Sequence, residues 1–227
     1  MFFQRDFTVI NGDNINGLQL MQEVKVFDLI LTKVPSTVEG DWKRSIEKRV
    51  KLAHKCLSSI GAVAIFVAKE RQDKMKEILD EQIGENNHVV TYEWKDESLM
   101  VYGKANIYDE GRIDQFLDEI RNMPRFDKKK EKKSNGIKIR NVSFLKAIIK
   151  TFMEEDGELL DMYAHTGMTG VAVWELNHDD NGVRGFTLIN HDEDTTCSSI
   201  LYPHIHKQSI IYESPFDYVI LDKESDR

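Results

Sequence analysis

A chain of 227 residues with 41% hydrophobic content is long enough to bury one large α/β core. Its 39 acidic against 31 basic residues leave a net charge of -8, which excludes a protein that coats nucleic acid nonspecifically, because phosphate binding depends on clustered Lys and Arg. No apolar run reaches the roughly 20 residues needed to cross a bilayer, and the opening MFFQRDFTVINGDN lacks a charged-then-apolar layout, so a cytoplasmic protein with no membrane partner is expected.

In chain order, residues 7–10 read as a strand, followed by the polar turn at 11–14 and a helical stretch through Leu18, Leu20 and Met21. Residues 27–31 form a short apolar run suited to a buried parallel strand. Between Trp42 and Ser59, Ile46, Val50, Ala53 and Leu57 recur at helical spacing, with Asp41 as a capping candidate and Gly61 as the expected stop. A strand at 62–67 and a helix carrying Met75, Ile78, Leu79 and Ile83 follow. Residues 89–94 and 99–102 read as a hairpin, and Ile113, Phe116, Leu117 and Ile120 as a helix face. A helix with Phe144, Leu145, Ile148, Ile149 and Phe152 is expected to start near Ser143 as N-cap. Strands at 159–163, 186–189 and 218–221, with a helix at 168–176, complete the pattern. Alternation of this kind predicts an α/β fold: a doubly wound, mainly parallel sheet covered on both faces, with a small hairpin and helix inserted.

Several segments resemble one family in the family's own order. FTVINGDNINGLQLM is similar to the opening strand and turn of the beta-group amino-methyltransferases, and KMKEILDEQIGENNHVVTYEWK to a stretch of type III modification subunits. LLDMYAHTGMTG resembles the core of the family's cofactor half, which usually reads LDFFAGSGTTG. The resemblance is to adenine-specific DNA methyltransferases of type III restriction systems and runs from about Phe7 to Asp222. It implies a class I S-adenosylmethionine-dependent methyltransferase fold in one domain over 1–227. Within it, 1–95 would hold the catalytic motif, 96–140 an insertion with a basic linker, and 141–227 the cofactor motif.

The implied reaction moves a methyl group from S-adenosylmethionine to the exocyclic nitrogen of an adenine turned out of the duplex. In the family motif Asp-Pro-Pro-Tyr, an acid and a carbonyl accept hydrogen bonds from the amine and the aromatic ring stacks on the base. Aligned with it, DLILTKVPST puts Lys33 at the Asp, Val34 at the first Pro, Pro35 at the second and Ser36 at the Tyr. An ammonium has donors and no acceptor, so Lys33 cannot hold the amine and repels the charge that develops on it. Ser36 gives up a stacking surface worth about 1 to 3 kcal/mol per base. Asp28 and Asp41 are poor substitutes, the first at the far end of its strand and the second suited to capping.

The resemblance places the cofactor at Asp161, Tyr163, His165, Gly167 and Asn190, with Asp192 nearby. His165 stands at the first glycine of the turn, where its side chain should take space the cofactor needs, and filling the pocket is preferred to a new catalytic role. These substitutions lead to the expectation of a methyltransferase-like pseudoenzyme with weakened S-adenosylmethionine binding. It would act through DNA or through association with a methyltransferase or restriction subunit, or as a homodimer. The alternative is an active adenine-N6 methyltransferase with a divergent motif. Residues 125–140 hold eight basic residues against two acidic ones, and read as a solvated loop or, through Lys128, Lys129, Lys130, Lys132 and Lys133, as phosphate contacts. Cys56 and Cys197 imply neither a disulfide nor zinc, and the alternate His204 and His206 lack further ligands, so no metal is expected.

Overall fold

Short β-branched and aromatic runs form the strands, and the amphipathic stretches between them cover the resulting sheet. The computed structural model describes residues 7–24, 26–36, 38, 40–105, 107–129, 139–190 and 196–221. The strands are β1 (Phe7–Asn11), β2 (Phe27–Lys33), β3 (Leu57–Ala68), β4 (His88–Glu93), β5 (Glu97–Gly103), β6 (Glu158–Asp161), β7 (Gly185–Asn190) and β8 (Asp217–Ile220). The helices are α1 (Asn14–Val24), α2 (Trp42–Lys55), α3 (Gln72–Gln82), α4 (Glu110–Arg121), α5 (Val142–Phe152), α6 (Met168–Asp180) and α7 (Tyr202–Ile211).

All eight strands join one sheet in the order β4-β5-β3-β2-β6-β7-β1-β8. The pairings are parallel except for the two that β5 makes, with β3 and β4. Alternating side chains split the core as the period of a strand requires. Leu29, Leu31, Ala64 and Phe66 face a layer carrying Phe116, Phe144, Ile148, Trp174 and Ile205, from α4, α5, α6 and α7. Ile30, Val63, Ile65 and Val67 face Leu18, Ile46, Val50, Ile78 and Leu79, from α1, α2 and α3. The fold is therefore the expected doubly wound α/β type.

Three local expectations change. Gly61 does not stop α2; the helix ends at Cys56, whose backbone N–H reaches Ala53 and His54 carbonyls, and Leu57 opens β3. Gly61 lies inside β3, where a β-carbon would sit 2.8 Å from Leu57 and 3.0 Å from the Asp28 carbonyl, so its smallness permits close packing against β2. The N-cap of α5 is Asn141, whose side chain accepts from the Phe144 N–H, rather than Ser143. Residues 162 and 163, read as strand, form the turn after β6.

The helix α7 and the π-helical stretch before it (Cys197–Leu201) had no counterpart in the sequence reading. Ile205 is the buried residue of α7, so the segment carries no apolar stripe for periodicity to detect.

What matters for function is where the winding reverses. The chain leaves β2 through α2 on one face of the sheet, and leaves β6 through α6 on the other. β2 and β6 are neighbours, so the connections diverge above their C-terminal ends and leave a crevice, the usual place for a ligand in an open α/β sheet.

Candidate functional site

A cleft of about 410 Å³ occupies that crevice. It brings together Lys33, Val34 and Pro35 with Asp161, Tyr163, His165 and Asn190, two groups more than a hundred residues apart in the chain. Ser36 and Gly167 lie outside its lining. Ser36 borders the same loop, and its carbonyl accepts from Arg71 Nε at 3.2 Å.

The β2 side of the cleft is held by the backbone. Trp42 Nε1 donates to the Pro35 carbonyl at 2.7 Å, the Arg71 guanidinium lies 5.1 Å from the Trp42 ring, and the Val34 N–H reaches the Phe66 carbonyl at 3.1 Å. Neither candidate acid is available to replace the one the motif lacks. Asp28 accepts from the Glu158 N–H at the opposite end of the sheet, and Asp41 caps α2.

The side chain of Lys33 is half exposed and forms an ion pair with Glu97 at 3.6 Å. Glu97, at the start of β5, is buried and takes two stronger partners: Arg140 at 2.6 and 2.8 Å, and Arg125 at 2.9 Å. Burial opposes its charge, but the hydrogen bonds and charge of Arg140, with Lys33 and Arg125, outweigh burial and hold the carboxyl below its ordinary value. Arg140 stacks on Phe66 at 3.7 Å and on Phe126 at 4.8 Å, and both rings line the cleft.

This cluster was missed in the sequence. Glu97 sits beside a hairpin turn, where an acid reads as solvated, and both arginines are hidden at the ends of a basic run. The solvated-loop reading fails for Arg125 and Arg140. Lys128 and Lys129 are exposed, as that reading requires, while Lys130, Lys132, Lys133 and Asp192 lie outside the described residues.

The β6 side keeps a carboxylate at its floor. Asp161 is buried and accepts from Thr32 Oγ1 at 2.7 Å, Thr169 Oγ1 at 2.8 Å and the Tyr163 N–H at 3.1 Å. Burial raises its pKa to about 6 against the pull of those donors. Asn14 of α1 reaches across to the Met162 carbonyl at 3.1 Å, tying the opening polar turn to this one.

His165 takes the left-handed backbone conformation, with φ 47°, that a glycine would take without strain. Its N–H donates to Asn190 Oδ1 at 3.3 Å, and its pKa is lowered by partial burial and then by the charge of Lys33. The imidazole therefore stands on the wall of a cleft that stays open, and does not fill it. Gly167 is also left-handed, with φ 73°, but a β-carbon there would meet Leu201 and Ile205 at 2.7 and 2.8 Å, so its smallness serves the packing of the last helical layer. His204 Nδ1 lies 2.6 Å from the Thr166 carbonyl in the same contact.

No protein-family model matches the chain. The Mod subunit of the type III restriction-modification enzyme StyLTI from Salmonella typhimurium is 40% identical over 58 residues, a stretch covering 26% of this chain and 9% of that subunit. Among solved structures, the M1.HpyAVI–SAM complex superposes with a TM-score of 0.61 at 14% identity, over 89% of this chain and 98% of that one. PvuII DNA methyltransferase, cytosine-N4-specific, superposes at 0.56 with 9% identity, over 96% and 99%. The fold is that of the class I S-adenosylmethionine-dependent methyltransferases.

At about 410 Å³ the cleft is within the range of small-molecule sites, and several of its polar side chains are already hydrogen-bonded within the protein. Asp161 already accepts three hydrogen bonds from the protein, and Asn190 accepts from His165. The side chains at the two altered motif positions are an ammonium, which can only donate, and an imidazole, which in its neutral form donates from one nitrogen and accepts at the other. Among the described residues no group of three His, Cys, Asp or Glu could hold a metal ion, and no helix is long and apolar enough to cross a membrane.

Proposed function

We propose that this chain is a DNA-methyltransferase-like protein that does not transfer methyl groups and acts by binding DNA or by pairing with a working methyltransferase or restriction subunit. The observation that carries the reading is the charge at the end of β2. Lys33 aligns with the place of an acceptor, and Glu97, the acid it pairs with at 3.6 Å, is also bound by two arginines. A target amine would meet a donor where methyl transfer needs a lone pair. The 58-residue likeness to a Mod subunit and the folds of M1.HpyAVI and PvuII methyltransferase support the restriction-modification setting. In that setting Lys128 and Lys129 would contact phosphates, with DNA as the partner.

The alternative, an active adenine-N6 methyltransferase with a divergent motif, draws support from the open cleft and the left-handed turn at His165. Incubating the chain with labelled S-adenosylmethionine and mixed-sequence duplex DNA separates the two. No methyl incorporation is expected. Incorporation that disappears on Lys33→Ala would overturn the proposal, because it would make the cation part of a working site.

A further inference from the structure

The two ends of the basic segment come together beside the cleft. Phe126 and Arg140 form an antiparallel bridge, and both line the cleft. Backbone bonds flank the bridge, from the Asp127 N–H to the Ile139 carbonyl at 2.8 Å and from the Asn141 N–H to the Arg125 carbonyl at 2.8 Å. The chain leaves this point at Asp127 and rejoins it at Ile139.

One carboxylate, from another strand, grips both ends. Glu97 Oε1 accepts from Arg125 Nη1 at 2.9 Å and from Arg140 Nη1 at 2.6 Å, while Glu97 Oε2 accepts from Arg140 Nη2 at 2.8 Å, so Arg140 is held by both oxygens. Rings set the planes of the two guanidinium groups. Arg125 lies 4.8 Å from Trp94, and Arg140 lies 3.7 Å from Phe66 and 4.8 Å from Phe126. Lys33, at the end of β2, reaches the same carboxylate at 3.6 Å.

We infer that Glu97 is a positioning residue for DNA binding: by latching Arg125 to Arg140 it closes the bridge from which Lys128 and Lys129 project. This rests on the reading that the chain binds DNA. Both lysines are exposed, and the Lys129 N–H donates to Asp127 Oδ1 at 3.0 Å, which carries the order of the bridge into the pair. A segment whose ends are already pinned has less freedom to lose when it meets a phosphate backbone. Without the carboxylate, the two guanidinium groups that share Oε1 would face each other as like charges, and the bridge would be driven open.

The direction of the effect distinguishes a latch from a simple charge. Removing an acid makes the chain more positive, which by itself strengthens binding to DNA. Losing the latch weakens it.

The test is the fluorescence anisotropy of a fluorescein-labelled mixed-sequence duplex titrated with the full chain at low salt. Replacing Lys128 and Lys129 together with Gln should weaken binding about fivefold. Glu97→Gln should weaken it about threefold despite the added positive charge. All three substitutions together should cost less than the product of the separate losses, because a latch acts through the residues it positions, whereas a purely structural role would multiply with theirs. Hydrogen exchange at the Asp127 and Asn141 N–H groups should quicken in Glu97→Gln while β2 and β6 keep their protection. If Glu97→Gln does not fold, Glu97→Asp replaces it: the charge is kept, the reach is shorter by one methylene, and binding should again weaken.

Binding by Glu97→Gln as tight as that of the wild-type chain or tighter, losses that multiply, unchanged exchange at the bridge, or wild-type affinity in Glu97→Asp where that variant is used each overturns the inference. Wild-type affinity in the double lysine variant also overturns it, while leaving DNA binding itself in place. A wild-type chain that does not bind the duplex removes the DNA-binding reading and this inference with it.

Discussion

The two sides of the cleft depart from the pattern they resemble in opposite ways, the β2 side in charge and the β6 side in shape. At β2 the loop is anchored by Trp42 and Arg71, yet its central side chain is a cation paired with a buried acid from another strand. At β6 the carboxylate of Asp161 remains at the floor, and the change falls at His165, a bulky residue set in a backbone conformation suited to glycine. The contrast teaches that the backbone and packing of a site can be held while the charge and shape of single side chains in it differ. Backbone anchors and packing fix where residues stand, and the identity of one or two side chains decides which ligand is welcome.

The largest expected effect tests whether the β2 side depends on its ion cluster. Replacing Glu97 with Ala strands Arg140, whose guanidinium lies between Phe66 and Phe126. Breaking a buried pair from one partner costs about 3–5 kcal/mol. Urea unfolding monitored by tryptophan fluorescence should show a loss of that size. A loss below about 1 kcal/mol, the range of exposed pairs, would mean that the cluster is solvated and that Lys33 is not held by it.

The two sides should also differ in the sign of their pH dependence. The Asp161 pKa is raised from 3.8 to about 6 by burial. Ionising it costs the folded state, so its contribution to stability is complete below the unfolded value and is lost as pH rises through the folded one. A shift of this size corresponds to roughly 3 kcal/mol lost between about pH 4 and pH 6. Glu97 is displaced downward, so its contribution is present above the ordinary carboxylate range and is lost as pH falls through its lowered value. Asp161→Asn should flatten the fall in stability between pH 4 and 6 relative to the wild-type chain. Parallel pH profiles for the two proteins would show that Asp161 is ionised without cost.

Much of the sheet was legible because buried strands and amphipathic helices carry strong periodicities. The runs at β2 and β3 and the apolar faces of α2, α3 and α5 needed no tertiary information. The boundary at Gly61 was misread because a glycine after an apolar stripe can end a helix or admit a close strand, and the choice depends on Leu57 and the Asp28 carbonyl across β2. The last helix was invisible because it packs chiefly through Ile205 and through His204 against the Gly167 turn, contacts that leave no periodic trace. In the site, local strings revealed which positions align with each motif. They could not reveal that Arg140 and Glu97 would meet across 43 residues, since a long-range ion pair has no signature in either segment.

The smallest effect sharpens the comparison most directly, since it concerns shape without charge pairing. His165 holds φ 47°, a conformation that costs an L-residue roughly 1–2 kcal/mol relative to its preferred ones. Glycine at that position removes the strain but gains freedom in the unfolded chain, which returns about 0.4–1 kcal/mol. His165→Gly should therefore stabilise the fold by about 0.5 kcal/mol, because the bond from its backbone N–H to Asn190 survives the substitution. Paired urea titrations can resolve a change of that size. A destabilisation above about 1 kcal/mol would mean that the imidazole itself holds the turn, whereas the β2 loop is held through its backbone groups.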